Sequence, residues 1–191
     1  MNVKNKSPKI FIICGPSGVG KDTVMRELEK YTLPVRRVIT TTSRPMRPGE
    51  SEGRPYHFVS QQTFDEMIAA GMFAEYAKVF NSYKGITKTE LEKVMNEEAG
   101  VLLQIEHQGA ATIKKKYPHA VVIVITPPSL LALEKRLTQR GDKQAAELEK
   151  RLEQNKHWQH DYAQFDHFVI NPDGHPELAA EQVAAIIKQN L

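Results

Sequence analysis

A short apolar run, Ile10-Phe11-Ile12-Ile13-Cys14, stops abruptly at Gly15-Pro16-Ser17-Gly18-Val19-Gly20-Lys21-Asp22-Thr23, and a segment with helical spacing follows. This order constrains the fold more than any other feature of the chain. The apolar run has the length and the β-branched content of a buried strand. The glycines Gly15, Gly18 and Gly20 let the backbone curl until successive N–H groups converge on an anion. The helix that begins near Lys21 turns its positive end to the same point, and Lys21 itself supplies a mobile point charge. The pattern G-x-x-x-x-G-K between strand and helix is a phosphate-binding loop, so residues 15–23 are expected to hold a nucleoside triphosphate. A ligand-free glycine-rich turn is the competing reading, and strand, loop, lysine and helix in their required order weigh against it.

One loop position departs from the usual pattern. Ser or Thr normally follows the lysine and gives its hydroxyl to Mg2+. Asp22 stands there instead, followed by Thr23. A carboxylate is also a hard-oxygen ligand for Mg2+, but it brings negative charge beside the phosphates. Three outcomes stay open: Asp22 meets the metal, directly or through water; Thr23 takes over; or nucleotide binding is weaker.

With 191 residues the chain has length for one domain with a full core. A net charge of only +3 gives no reason to expect a nucleic-acid partner. Cys14 is the single cysteine, which excludes an internal disulfide, and its place in a buried strand reads as a small core residue. No apolar stretch reaches membrane-spanning length, and the short polar N-terminus with the run after it lacks a cleavage pattern. The expected location is the cytoplasm.

Apolar strands are expected at 9–14, 101–106, 120–126 and 167–171, with helices at 22–29, 110–116, 129–138, 145–160 and 176–190. Their alternation predicts an α/β fold around a parallel sheet. Residues 40–88 read differently. A β-branched strand over 35–42 leads into a Pro- and Gly-rich loop over 44–55, then a short strand at 56–60, a helix at 61–70, a strand at 73–80 and a helix at 88–98. This is a small α+β insertion suited to a second substrate. Lys114-Lys115-Lys116 reads as a solvated helix end, where cations suit the dipole.

Three charged groups stand out. Arg44 and Arg47 lie in a proline-stiffened loop, and two guanidinium forks held this way suit a phosphate monoester; Tyr56 adds a neutral donor. Beside a phosphate loop, a second phosphate site is the preferred reading over a solvated basic loop. Arg136 and Arg140 share a helix face, Arg151 follows, and 141–144 connects them. Such arginines suit a lid that closes over a transferring phosphoryl group, although spacing alone favours surface pairing with Glu134, Glu147 and Glu149. His157 and His160, with Asp161 nearby, lack a third ligand and read as a polar helix face rather than a metal site; Trp158 reads as packing.

The chain resembles the guanylate kinase family over almost its whole length. The likeness is carried by the loop Gly15 to Lys21, by Thr42-Ser43-Arg44-Pro45-Met46-Arg47 with Gly49, Glu50 and Gly53, by Tyr56-His57-Phe58-Val59-Ser60, Phe73-Ala74-Glu75, Gln108-Gly109 and Pro127-Pro128-Ser129, and by Arg136 to Gly141, Arg151-Leu152 and Asn171. The resemblance implies a three-layer P-loop core with a parallel sheet over 8–39 and 99–191. It adds an α+β nucleoside-monophosphate-binding insertion at about 40–88 and a helical lid at about 138–155. It further implies transfer of the γ-phosphoryl of Mg-ATP to GMP, by a monomer or homodimer with small-molecule nucleotides as its partners. In this likeness Lys21 and the backbone of Gly15, Pro16, Ser17, Gly18, Val19, Gly20, Asp22 and Thr23 would hold the ATP phosphates, and Asn171 would lie beside adenine. Arg44, Arg47 and Tyr56 would grip the GMP phosphate, with Tyr83 and Lys84 beside it and Thr40 near the base. Glu75 would accept from the guanine N1–H and amino group. Glu106 ends the strand that carries the family's acids. Arg136, Arg140 and Arg151 would be the lid arginines that stabilise the transition state.

The chain departs from the family at several positions. Lys84 replaces a tyrosine that contacts the acceptor phosphate. Ile86 removes a hydroxyl that helps read guanine, unless Thr87 shifts into its place. Gln104-Ile105-Glu106 replaces Asp-Ile-Asp, and Trp158 replaces a Glu. An acid is lost at 104 and gained at 22, so the number of carboxylates near the metal would be kept. Two other functions compete. Gly-Lys-Asp also occurs in proteins resembling ribose bisphosphate phosphokinases, which keep the chemistry but change the acceptor; the retained arginine loop, Tyr56 and Glu75 argue against it. Guanylate kinase-like scaffold modules that bind peptides lack a working loop, which this chain has.

Overall fold

Strands that are apolar at every position are buried on both faces, and here they form the core of a parallel sheet. The structure, a computed structural model, describes residues 8–97, 100–139, 153 and 158–191. Strands β1 (Lys9–Cys14), β8 (Gly100–Gln104) and β9 (Val121–Thr126) are buried at nearly every residue, as expected for parallel strands covered by helices on both sides. With β2 (Arg36–Arg37) and β10 (His167–Ile170) they make a five-stranded sheet in the order β10-β9-β1-β8-β2. β10 runs parallel to β9, with His167 opposite Ile123, and β2 runs parallel to β8, with Arg36 opposite Val101.

Backbone packing divides the chain into two units, and the boundary falls within β1. One unit takes residues up to Phe11 and Pro34–Ala120, the other Ile12–Leu33 and Val121–Leu191. In the second unit the phosphate loop leads into α1 (Lys21–Leu28), which packs on α7 (Pro176–Asn190). Val24, Met25 and Leu28 of α1 are buried, as are Ala179, Ala180, Val183, Ala184 and Ile187 of α7. α5 (Leu130–Gln139) and α6 (Trp158–Tyr162) complete it.

The first unit carries a second sheet, in the order β4-β5-β3-β7-β6. Its strands are β3 (Thr40–Thr42), β4 (Ser51–Glu52), β5 (Pro55–Phe58), β6 (Phe73–Val79) and β7 (Ser82–Thr87). β3 pairs with β5 in parallel and with β7 antiparallel. α2 (Gln61–Ala69) lays Phe64 on this sheet, stacked on Phe73 at 4.4 Å and on Tyr83 at 5.2 Å. α3 (Lys88–Glu97) and α4 (His107–Lys116) follow. Between Phe73 and Glu75 the β6–β7 register slips by one residue; such a bulge re-aims the side chain beside it.

Several sequence expectations change. The single strand expected over 35–42 is two strands in different sheets, because a short strand-forming run without Gly or Pro carries no mark of the point where the chain leaves one sheet for another. β7 was hidden by mixed polarity and by Gly85, whose place is crowded: a Cβ there would lie 2.8 Å from both Phe73 and Tyr76. Glu106 does not end a strand but is the N-cap of α4, with extended backbone. The helix expected over 145–160 and the lid over 138–155 fall mostly outside the described residues. Among the described residues, no helix is long and apolar enough to cross a membrane.

Phe64 is wholly buried between two rings. Phe64→Ala is expected to destabilise the protein by about 3–5 kcal/mol, measured by denaturant unfolding, and Phe64→Leu by distinctly less.

Candidate active site

The phosphate loop owes its shape to glycines that no other residue replaces. Gly15 has φ of 149°, and a Cβ there would run into the carbonyl oxygen of Ile125 on β9. Gly20, with φ of 96°, is the N-cap of α1, and no side chain caps that helix, so its positive end stays open to an anion. The Lys21 ammonium is drawn into the loop, donating to the carbonyls of Gly15 at 2.5 Å and Pro16 at 3.3 Å. This presents its charge to whatever the loop cradles.

Behind the loop, the Val19 carbonyl accepts from Asn171 Nδ2 at 2.8 Å and from Arg136 Nη1 at 2.9 Å. A trans peptide points its C=O and N–H in opposite directions, so this double grip turns the Gly20 N–H the other way. Arg136 is fixed in turn: Nε and Nη2 donate to Asp173 Oδ1 at 2.8 and 2.6 Å, and Nη2 donates to the Asn171 carbonyl at 2.7 Å. Among the described residues its partners are thus Val19, Asn171 and Asp173 rather than Glu134, while Glu147 and Glu149 lie outside them. The Asn171 Oδ1 atom is buried with no hydrogen-bond partner, an acceptor left for a ligand. Arg140 and Arg151 lie outside the described residues.

The other unit gathers the remaining expected residues. Arg44 grips Glu50 with both ends of its fork, at 2.7 and 2.6 Å, and the Arg47 amide donates to the same carboxylate at 2.8 Å. Burial works to raise the Glu50 pKa, but the Arg44 and Arg47 contacts outweigh it and hold the carboxyl below its ordinary range. The Arg44 guanidinium also lies 5.0 Å from the Tyr56 ring centre. Lys84 reaches the Tyr56 hydroxyl at 3.4 Å and Glu106 at 3.7 Å. Thr40 is buried and pairs with Tyr56 in the sheet.

Tyr83 and Lys84 are neighbours on β7, and strand alternation sends their side chains to opposite faces. Lys84 joins Tyr56 and Glu106, whereas the Tyr83 ring stacks on Phe64. Ile86 is wholly buried. The Thr87 hydroxyl accepts from the Glu90 amide at 3.2 Å, at the start of α3. Gln104, in place of an acid, accepts from Arg37 Nη2 at 2.6 Å. Sequence reasoning missed Arg37 and Asp173, which no motif marks. It quoted Glu50 and Gly109 only as parts of motifs.

Glu75 is the most perturbed group. Only 5% exposed, its carboxyl is pushed up to about 8 by burial, with the charge of Glu106 adding to the effect. Among the described residues, no three His, Cys, Asp or Glu side chains gather to hold a metal.

The family model described as guanylate kinase matches residues 7–190. The chain is 38% identical to a guanylate kinase of Vibrio cholerae over 181 residues, covering 94% of this chain and 86% of that one. It is 35% identical to one of Legionella pneumophila over 188 residues, covering 98% and 89%. The crystal structure of guanylate kinase from Anaplasma phagocytophilum superposes with a TM-score of 0.75 at 26% identity, covering 96% of this chain and 86% of that one.

Between the ordinary carboxyl value of 4.5 and about 8, the folded chain keeps a proton on Glu75 that the unfolded chain has lost. Stability therefore falls as pH rises through that window. Glu75→Gln is expected to flatten this part of the stability curve and to exceed the parent in stability above pH 8, read by denaturant unfolding across pH. An unchanged slope overturns the burial account.

Proposed function

The chain belongs to the guanylate kinase family, and from this premise we propose how its residues transfer the γ-phosphoryl group of ATP to GMP, giving ADP and GDP. The observation that carries the choice of acceptor is the buried Glu75 carboxyl. Guanine offers two adjacent donors, N1–H and the 2-amino group, to one carboxylate, while adenine offers an acceptor at N1. A ribose bisphosphate has no base to read and would leave this buried acid without purpose.

The triphosphate lies on the main-chain amides of residues 15–23, with Lys21 on its outer oxygens. The left-over Asn171 Oδ1 suits the adenine amino group. Arg136 holds the loop from behind, and Arg140 and Arg151 supply further positive charge to the transferring group. Arg44, Arg47 and Lys84 neutralise the GMP phosphate and Tyr56 donates a hydrogen bond to it; Glu50 keeps the Arg44 fork extended and ready. Lys84 replaces by charge what the family obtains from a tyrosine hydroxyl. Thr40 and Glu75 face the base, and Glu106 and Tyr83 support the strands that carry them. No covalent intermediate is needed: positioning and preorganised cations supply the rate.

Asp22 would hold a Mg2+ ion, which would offset the negative charge that develops on the transferring phosphates. The donor set fits it: Mg2+ takes one or two carboxylates together with phosphates and water rather than an all-protein cage, and Asp22 lies in the first turn of α1 directly after Lys21. The reading includes a cytoplasmic location and a monomeric or homodimeric state.

Coupled ADP release with ATP and a panel of GMP, dGMP, AMP, IMP and ribose 1,5-bisphosphate tests the function. Turnover of GMP with near silence on AMP is expected; turnover of the sugar phosphate without GMP would overturn it. Guanine binds the ionised Glu75, so KM for GMP is expected to fall about tenfold per pH unit below about 8 and to level off above it; a flat profile counts against the role of Glu75. Asp22→Ser should raise the Mg2+ concentration needed for half-maximal activity, and an unchanged metal titration removes Asp22 from the metal site.

A further inference from the structure

Gly109 lies in the first turn of α4, three residues after the Glu106 N-cap. Its backbone is not among those with positive φ, so any residue is conformationally allowed there, and a glycine weakens a helix relative to alanine. Chain conformation gives no reason for a glycine at this position; space does. A Cβ built on Gly109 would meet the Glu75 Oε1 and Cδ atoms far inside contact distance, with Oε2 at 3.0 Å, and these are its three nearest neighbours. The carboxyl of Glu75 thus occupies the volume that any larger residue would fill. Its other sides are also bounded. Its strand is bulged between Phe73 and Glu75, its cross-strand partner Ile86 is wholly buried, and α4 packs on β6.

We propose that Gly109 is a positioning residue for guanine recognition: by presenting no side chain, it lets the Glu75 carboxyl rest against the first turn of α4 in the orientation that reads the base. This rests on the base-reading role proposed for Glu75 above. A methyl group at 109 would leave the backbone untouched and push the flexible carboxyl aside by on the order of 1 Å, enough to spoil paired hydrogen bonds to two adjacent donors. A local preference broken without a backbone reason is the signature of such a site.

Gly109→Ala, Glu75→Gln and Glu75→Asp, and the Gly109→Ala/Glu75→Asp double variant, test this on the full chain, with thermal unfolding and kinetics on GMP and IMP, which lacks the 2-amino group. Gly109→Ala is expected to melt at or above the parental temperature, to raise KM for GMP about tenfold or more, to lower the preference for GMP over IMP, and to leave KM for ATP within about twofold. Withdrawing the carboxyl by one methylene should relieve the clash. The double variant is therefore expected to recover part of the GMP preference, so that the two losses do not add. Parental GMP kinetics in Gly109→Ala, while Glu75→Gln has lost the GMP preference, would overturn the proposal alone. A lowered melting point with additive losses would also overturn it, by assigning Gly109 a merely structural role. A Glu75→Gln variant that keeps full preference brings down the base-reading role, and this inference with it.

Discussion

The Val19 carbonyl, held at once by Arg136 and Asn171, is the contact on which the nucleotide side of this protein depends. A phosphate loop works only if its amides face inward together, and each amide is bound by planarity to a carbonyl facing away. Two donors on one carbonyl, Asn171 Nδ2 and Arg136 Nη1, fix the orientation of that peptide. Asp173 holds Arg136 in turn, so the loop's geometry is set by a short polar chain reaching back to the segment after β10. Burial strengthens the Asn171 link, since Asn171 is 5% exposed and hydrogen bonds away from water tolerate little slack, whereas the Asp173 end of the chain is exposed.

The base-reading side rests on an opposite principle. Glu75 is held in a place that disfavours its charge, with Glu106 adding repulsion. In the proposed reading, a base with two N–H donors draws this acid into its ionised form, and a base that leaves the buried acceptor unpaired is rejected. The departures at 84, 86 and 104 are read in this light. Lys84 keeps a polar contact to Tyr56, Ile86 is a wholly buried apolar residue, and Gln104 is a partner for Arg37.

Much of this was legible in the residues. β1, the loop and α1 appear within a residue of where the apolar run and glycines put them, and β9 and α7 likewise, because local periodicity and loop chemistry depend on near neighbours. What stayed hidden depends on distant partners. The run over 35–42 gives no sign that its two halves serve different sheets. β7 reads as mixed because it lies on a small sheet where only Gly85 and Ile86 of its residues are buried. Arg136 looked like surface charge, since Asp173, 37 positions away, is invisible to helical spacing.

By itself the sequence determined that a strand, a glycine-rich loop ending in Lys21 and a helix follow one another in the order a nucleoside triphosphate site requires, and that Arg44 and Arg47 share a proline-stiffened loop suited to a second phosphate. Those conclusions need only residue types at short spacings, where backbone geometry leaves few alternatives. Tertiary structure alone decided that Glu75 is buried against a glycine, that Lys84 rather than Tyr83 faces Tyr56, and that the Thr87 hydroxyl meets the first turn of a helix. Each of these turns on which atoms share a volume of a few ångströms, and that is fixed only when strands remote in the chain are packed together.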